Sequence, residues 1–455
     1  MSIPSLIYIR FLQVFVITCS ILLLGCSKKE FDPNLQNEQD ALFYLDRNTA
    51  HTPIITPSVQ EKLHKKFLEH YYSPWTDENR LFTNEEIKEY TLQYIEEIKE
   101  NPGWDANEHK HNKEWVEALT NNMDMSSYPN HISKAITTQN TNLRGFPTYQ
   151  PSFSSLDKPG STYPFDNFQA SFIPTNSPVL MLQTTKDKNW YLVATDSAFG
   201  WINANDIALV NDAFIEAWQN NQGYISVKSD DTAILDANNV FKLTSFMGAI
   251  LPIKKISEEN YEIQLAIKTV DGYAQLTDAI VPHDRAYKIP LPMTSENVAK
   301  VVNQFLGTPY GWGGIHGYRD CSATIKDLTS YFGIWLPRNS SMQSKIGDGK
   351  RIDLTDLSNT EKIKIIQQAA IPYATLLYMP GHIMLYVGEK DGTLYAFHNM
   401  WGLHTTRLFG PDGRAVVGRA VITPIDFGKT YPKVKKSLLD KLTAITIITQ
   451  DDTTQ

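Results

Sequence analysis

Apolar residues along the chain change their spacing four times, and each change predicts a different kind of structure. Arg10 is followed by an uncharged, nearly continuous apolar run from Phe11 to Leu24. That run is shorter than the ~20 residues a membrane-spanning helix needs, and its N-terminal placement fits the apolar core of an export signal. Ser27 to about residue 50 is polar and acid-rich, as a tether would be. From about 51 to 125 the apolar positions recur at helical spacing. Ser58 with Glu61, and Thr83 with Glu86, each fit a capping box; Ile87, Thr91, Tyr94, Ile95 and Ile98 then line one face until Pro102-Gly103. From about 150 to 290 the runs are short and β-rich. One set is Val179–Leu182, Trp190–Thr195 and Phe199–Ile202; the other is Tyr224–Val227, Ala249–Ile253, Tyr261–Lys268 and Tyr273–Leu276. Two such sets predict two small β-barrels, with one larger sandwich as the alternative.

The last third mixes both periods. Thr294 or Ser295 can cap a helix lined by Val298, Val301, Val302 and Phe305 and ended by Gly307. Thr308-Pro-Tyr-Gly-Trp-Gly-Gly314 follows, a tight loop presenting Tyr310 and Trp312. A second helix begins within Arg319-Asp-Cys-Ser-Ala323, with Ile325, Leu328 and Phe332 on its buried side. The resulting organisation is a signal segment (1–25), a tether (26–50), a helical region (51–150), two barrels (151–213 and 214–290), a mixed α+β domain (291–430) and a tail (431–455). At 455 residues the chain is too long for one core, and several domains are expected in any case.

Composition narrows the function. The net charge is −8 with no basic run, which argues against a nucleic-acid partner. Of three cysteines, Cys19 lies in the leader and Cys26 follows Leu23-Leu24-Gly25, so Cys321 is the only thiol left free in an exported domain. It is either a small buried hydrophobe or a nucleophile. In the first turn of a helix, unpaired N–H groups and the macrodipole favour an anion, which predicts a lowered thiol pKa. Between Asp320 and Ser322 the nucleophile reading is the stronger.

A base is supplied by the run His382-Ile-Met-Leu-Tyr-Val-Gly388, a turn at Glu389 to Gly392, and Thr393-Leu-Tyr-Ala-Phe-His398. A loop of three or five residues centred on Lys390 places His382 opposite His398 on one face, and a one-residue slip places them on opposite faces. One imidazole can then take the thiol proton while the other orients it. His109 and His111 sit among polar residues without carboxylate or cysteine partners, so no metal site is predicted there; His316 and His404 are candidates only for outer positions.

Two resemblances follow from these strings. Leu23-Leu24-Gly25-Cys26 resembles a bacterial lipoprotein signal, which implies lipid attachment at Cys26 and an extracytoplasmic, membrane-anchored protein; an ordinary signal peptide is the alternative. Gly307-Thr-Pro-Tyr-Gly-Trp-Gly-Gly314, Arg319-Asp-Cys-Ser322, Phe332-Gly-Ile-Trp-Leu-Pro-Arg-Asn-Ser340 with Gln343 and Gly347, and the two histidine strands together resemble the NlpC-type, papain-like cell-wall cysteine peptidases. Phe67 to Trp75, Arg144 to Thr148, and the runs around Trp190 and Gly200-Trp201 resemble the helical region and bacterial SH3-like modules of a subgroup.

The resemblance implies a multidomain α+β protein in which two SH3-like barrels precede a papain-like domain. It implies hydrolysis of the γ-D-glutamyl to diamino acid bond (diaminopimelate or lysine) of peptidoglycan stem peptides, with preference for a free N-terminal L-alanine, and no metal or organic cofactor. Cys321 would be the nucleophile, His382 the base and His398 the orienting residue. Tyr310 would stand near the oxyanion, Trp312 would line the substrate loop, and Asp320 and Ser322 would meet the peptide's amine. Ala323 departs from the family's usual glycine. Arg319 and Arg338 are candidates for positive charge in the cleft. The rival readings are a non-catalytic wall-binding lipoprotein and an acyl transferase on the same fold.

Overall fold

The computed structural model describes residues 35, 37–76, 78–346, 350–406, 412–431 and 433–449. Cys19, Cys26 and Gly347 lie outside them. The helical region comprises Pro57–Tyr71, Ser73–Thr76, Asn84–Glu100 and Lys113–Met123. The Thr83/Glu86 capping box heads the third helix, whose buried residues are Ile87, Thr91, Ile95 and Ile98. The first helix starts differently from the expected Ser58/Glu61 box: Thr56 caps it by accepting from the Val59 N–H, and Pro57 occupies the first turn, where a missing N–H costs nothing.

Two separate seven-stranded antiparallel sheets follow, so the single-sandwich alternative falls. The first begins earlier than residue 151. Ser133–Thr137 pairs with Pro178–Thr184 and Ile207–Leu209, and Thr141–Arg144 pairs with Gln169–Ile173, so two strands come from the stretch read as helical. Both are short and half polar, which left no period to read. Pro178–Thr184 is buried on both faces, because Val179 and Met181 fill the barrel while Leu180 and Leu182 pack against the helices with Ile87, Ile95 and Trp201. The second barrel encloses Ile225, Val227, Leu251, Ile253, Ile263, Leu265 and Val281.

The C-terminal domain is a six-stranded sheet in the order Lys350–Asp353, Ala444–Ile447, Thr375–Met379, His382–Lys390, Thr393–Thr405, Gly413–Pro424. Ala444–Ile447 comes from the supposed tail and pairs with the strands on both sides of it. Helices Ser295–Phe305 and Cys321–Ser330 cover one face, against Leu376, Ile383, Leu385 and Phe397; Asn359–Ala369 and Leu438–Lys441 cover the other, against Leu377, Met384 and Val421. The tether is also partly structured. Asn37 and Gln39 donate to the Ile422 carbonyl at 2.9 and 2.8 Å, Tyr373 donates to Ala41, and Ala41 and Tyr44 are buried.

The parts share one core: Phe67, Tyr72 and Trp75 from the helices, Tyr224 from the second barrel and Phe305, Ile325 and Leu328 from the last domain belong to a single buried cluster. Trp75 donates to the Ala135 carbonyl at 2.7 Å, so the helices also grip the first barrel.

Candidate active site

The helix Cys321–Ser330 starts where Asp320 accepts from the Ala323 N–H at 2.9 Å, which makes Cys321 its first residue. Cys321 is 7% exposed, and the Ile383 N–H, next to His382, is close enough to its sulfur to favour the thiolate. The Thr308–Gly317 loop is pressed against the first barrel. A Cβ at Gly313 would stand 2.2 Å from the Gln169 carbonyl oxygen, and Gly313 and Gly314 have φ of 55° and 85°, so only glycine fits this approach. Gln169 donates to the Gly313 carbonyl at 2.9 Å and the Trp312 indole to Asp166 at 3.2 Å. Trp312 is 37% exposed on this wall.

The two histidine strands meet in a register different from the expected one. Asp391 and Gly392 have φ of 50° and 76° and form a two-residue turn, pairing Lys390 with Thr393. Unbroken, that register would put His382 and His398 on opposite faces. A bulge between Tyr386 and Gly388 shifts it by one, so Leu385 faces Phe397 and the histidines become diagonal neighbours on one face. His382 Nε2 lies 2.7 Å from His398 Nδ1, and His398 Nε2 lies 3.0 Å from Thr423 Oγ1.

This line determines the tautomers. For His382 to receive a proton at Nδ1, its Nε2 must carry hydrogen and donate to His398 Nδ1. His398 then bears its own proton on Nε2 and donates it to Thr423. Thr423 was not identified from sequence, because its place depends on a strand pairing across 25 residues. Replacing Thr423 by valine leaves the buried His398 N–H unpaired. We expect kcat to fall about tenfold at unchanged KM, the equivalent of one lost hydrogen bond, with Thr423→Ser restoring it; steady-state kinetics of the three proteins decide.

The electrostatics correct one expectation. Burial pushes the Cys321 thiol up to about 12, and the Asp320 carboxylate adds to the rise, so the helix start does not leave a free thiolate. Burial lowers His382 to about 4, opposed by Asp320 and aided by Lys441, and holds His398 well below the usual histidine range. The resting pair is therefore thiol and neutral imidazole. Transfer of the proton between them creates two charges that compensate each other, whereas ionising either alone leaves a charge unpaired in a buried site. Above pH ~4 His382 is free to accept a proton and below it is not. The acid limb of kcat/KM should accordingly fall near pH 4, and a limb at 6 to 7 for the same peptide would contradict this assignment.

Asp320 and Ser322 are both buried. Arg338 grips the Asp320 carboxylate with two nitrogens at 3.0 and 2.6 Å and also donates to Ser322 Oγ at 2.8 Å. The Ser322 hydroxyl, the Ala323 N–H and the Gly313 N–H donate to the same carboxylate at 3.1, 2.9 and 3.2 Å. Burial alone would raise this carboxyl; Arg338, the Ala323 N–H and the Ser322 hydroxyl together outweigh it and hold the group below its usual range. A substrate ammonium would reach Asp320 only by displacing one of these donors.

Arg319 is equally occupied, by Asp230 of the second barrel at 2.7 and 2.8 Å and by Asp327 at 2.5 Å. Neither flanking arginine is free for substrate. Tyr310 is held protonated by burial, with Asp320 and Cys321 acting in the same direction. Gln343 donates to the Ser322 and Pro337 carbonyls at 2.9 and 2.8 Å, bracing the helix start. His109 pairs with Asp105 at 3.6 Å, and His404 with Asp412 at 3.1 Å. His316 Nε2 lies 3.4 Å from the Tyr163 hydroxyl. Among the described residues no group of three or more His, Cys, Asp or Glu side chains could hold a metal ion.

A cysteine opening a helix on one side of an antiparallel sheet, with paired histidines on the sheet, defines a papain-like α+β domain. Residues 307–402 match the NlpC/P60 family, 15–128 its N-terminal stabilising domain, 151–203 an SH3 domain of SH3b1 type and 211–258 one of SH3b2 type. The chain belongs to the NlpC/P60 family, with two SH3b-type domains ahead of the catalytic one.

A solved structure described as a novel NlpC/P60 endopeptidase from Photobacterium damselae subsp. piscicida is 27% identical, with a TM-score of 0.82 over 91% of this chain and 98% of that one. A Bacillus subtilis protein named gamma-D-glutamyl-L-lysine dipeptidyl-peptidase is 29% identical over 105 residues, 23% of this chain. The match spans 33% of that relative's length.

Proposed function

We propose that this protein is a cysteine endopeptidase that hydrolyses the γ-D-glutamyl to diamino acid bond of peptidoglycan stem peptides. The observation that carries the reading is Cys321 at a helix start, beside a hydrogen-bonded line of His382, His398 and Thr423. The family match and the name of the Bacillus subtilis relative support the substrate class.

In the proposed reaction His382 takes the thiol proton as sulfur attacks the γ-glutamyl carbonyl. The backbone N–H of Cys321 and the Tyr310 hydroxyl donate to the oxyanion, His382 returns the proton to the leaving amine, and water releases the acyl group. A preference for a free N-terminal L-alanine belongs to the same proposal, supported by the first barrel lying directly against the loop that carries Tyr310 and Trp312. We place the protein on an extracytoplasmic membrane face, held by lipid on Cys26, with no metal or organic cofactor in the chemistry.

The test is incubation with L-alanyl-γ-D-glutamyl-meso-diaminopimelate and with the lysine peptide, followed by mass spectrometry. Release of the free diamino acid supports hydrolysis, a new covalent adduct would identify a transferase, and no product from either peptide with folded protein would leave the wall-binding reading. For the anchor, the mass of the N-terminal peptide from membrane-extracted protein decides whether Cys26 carries acyl chains.

A further inference from the structure

A net acidic protein acting on an anionic peptide needs positive charge in its cleft, and Arg319 and Arg338 are consumed by ion pairs with Asp230, Asp327 and Asp320. Arg414, on the strand Gly413–Pro424, is in a different situation. Its guanidinium carbon stands 5.3 Å from the centroid of the Phe165 ring, and a Cβ on Gly160 would come within 2.4 Å of one of its terminal nitrogens. Its Nε is buried and has no hydrogen-bond partner among the described residues. Among the described residues Arg414 makes no ion pair.

The surroundings lead to the nucleophile. Phe165 lies 5.2 Å from the Trp312 ring and 6.2 Å from Trp401, and Trp401 lies 5.9 Å from Tyr310. Arg414 thus stands on the aromatic wall that joins the first barrel to the tyrosine beside Cys321. A partly buried guanidinium that makes no ion pair with the described residues, standing on this wall, is set to take a ligand that supplies the counter-charge.

We propose that Arg414 binds a carboxylate of the stem peptide. This rests on the proposed function, whose substrate offers two sources. A γ-linked glutamate keeps its α-carboxylate free, and diaminopimelate carries a carboxylate that lysine lacks. A guanidinium can take either in a two-point hydrogen-bonded pair with the aromatic wall excluding water. Arg414 lies beyond residue 402, where the family match ends.

The test measures kcat/KM of the full chain on three peptides: L-alanyl-γ-D-glutamyl-meso-diaminopimelate, the same peptide with the glutamate α-carboxylate amidated, and the lysine analogue. The wild type should prefer the parent at least tenfold over one of the other two, which identifies the carboxylate. In Arg414→Gln that ratio should fall to within about twofold of unity, with Arg414→Lys intermediate. An unchanged ratio, or an equal loss on all three peptides, overturns the proposal. If the wild type cleaves none of them, the hydrolase reading fails separately. Calorimetric titration of the same peptides into Cys321→Ala and Cys321→Ala/Arg414→Gln proteins then decides: a binding preference erased by the arginine change supports the carboxylate site, and equal affinities overturn it.

Discussion

Cys321→Ala protein should release no diamino acid above background, a fall in kcat on the order of 10⁴ to 10⁶, while still binding the peptide. His382→Ala should lose a comparable factor, and the double variant no more, because nucleophile and base act as one unit and removing either removes the covalent route. His398→Ala should lose less, on the order of 10² to 10⁴, since it orients His382 without touching the substrate. Burial makes this ordering sharper. With the thiol raised to about 12 and His382 lowered to about 4, neither group ionises alone near neutral pH, so a thiolate forms only where the imidazole can receive the proton. Rapid-quench kinetics and peptide binding on the four proteins check it. A Cys321→Ala protein retaining a tenth of the activity would sink the mechanism.

Arg338→Ala should destabilise the protein by ~3 to 5 kcal/mol, the usual cost of leaving one member of a buried ion pair without its partner. Arg338 and Asp320 are 12% and 10% exposed, so solvent cannot replace the missing charge. Arg338 also donates to Ser171 Oγ of the first barrel at 2.9 Å, so the same change loosens the contact between barrel and active site. Its loss leaves a carboxylate with no balancing cation one residue from Cys321, which raises the thiol further and should slow its alkylation by iodoacetamide. Arg338→Lys should recover part of the stability, because an ammonium restores charge but not the two-point grip. Asp320→Asn in the Arg338→Ala background should recover part as well, because no charge then remains unpaired. Denaturant unfolding of the four proteins measures this, and an Arg338→Ala loss below ~1 kcal/mol would show that water or another cation compensates Asp320.

Where the determinants are local, residues and structure agree closely. Thr83 with Glu86, and Thr294 before the helix Ser295–Phe305, are caps made within three residues, and each is found where its pattern occurs. Cys321 opens its helix because Asp320 caps it, again a contact between neighbours. Hydrophobic periods over a dozen residues separate most of the helices from most of the barrel strands, the short strands Ser133–Thr137 and Thr141–Arg144 excepted, and bring two histidines into one hairpin.

Other features required the folded chain. The sequence around Asp391-Gly392 allows several loop lengths, and the shared face of His382 and His398 rests on a single bulge between Tyr386 and Gly388, which no alternation of residues announces. Ala444–Ile447 is too short to show a period of its own; its place as a strand lies in pairing with Lys350–Asp353 on one side and Thr375–Met379 on the other, both far away along the chain. Charge shows the same division. Arg319, Arg338 and Arg414 are indistinguishable as residue types, yet two are neutralised by aspartates and one stands against Phe165 with no ion-pair partner among the described residues. Sequence by itself determined which groups could do chemistry and which elements would carry them. The tertiary structure decided their protonation, their partners and their facing, because those depend on burial and on contacts between residues far apart along the chain.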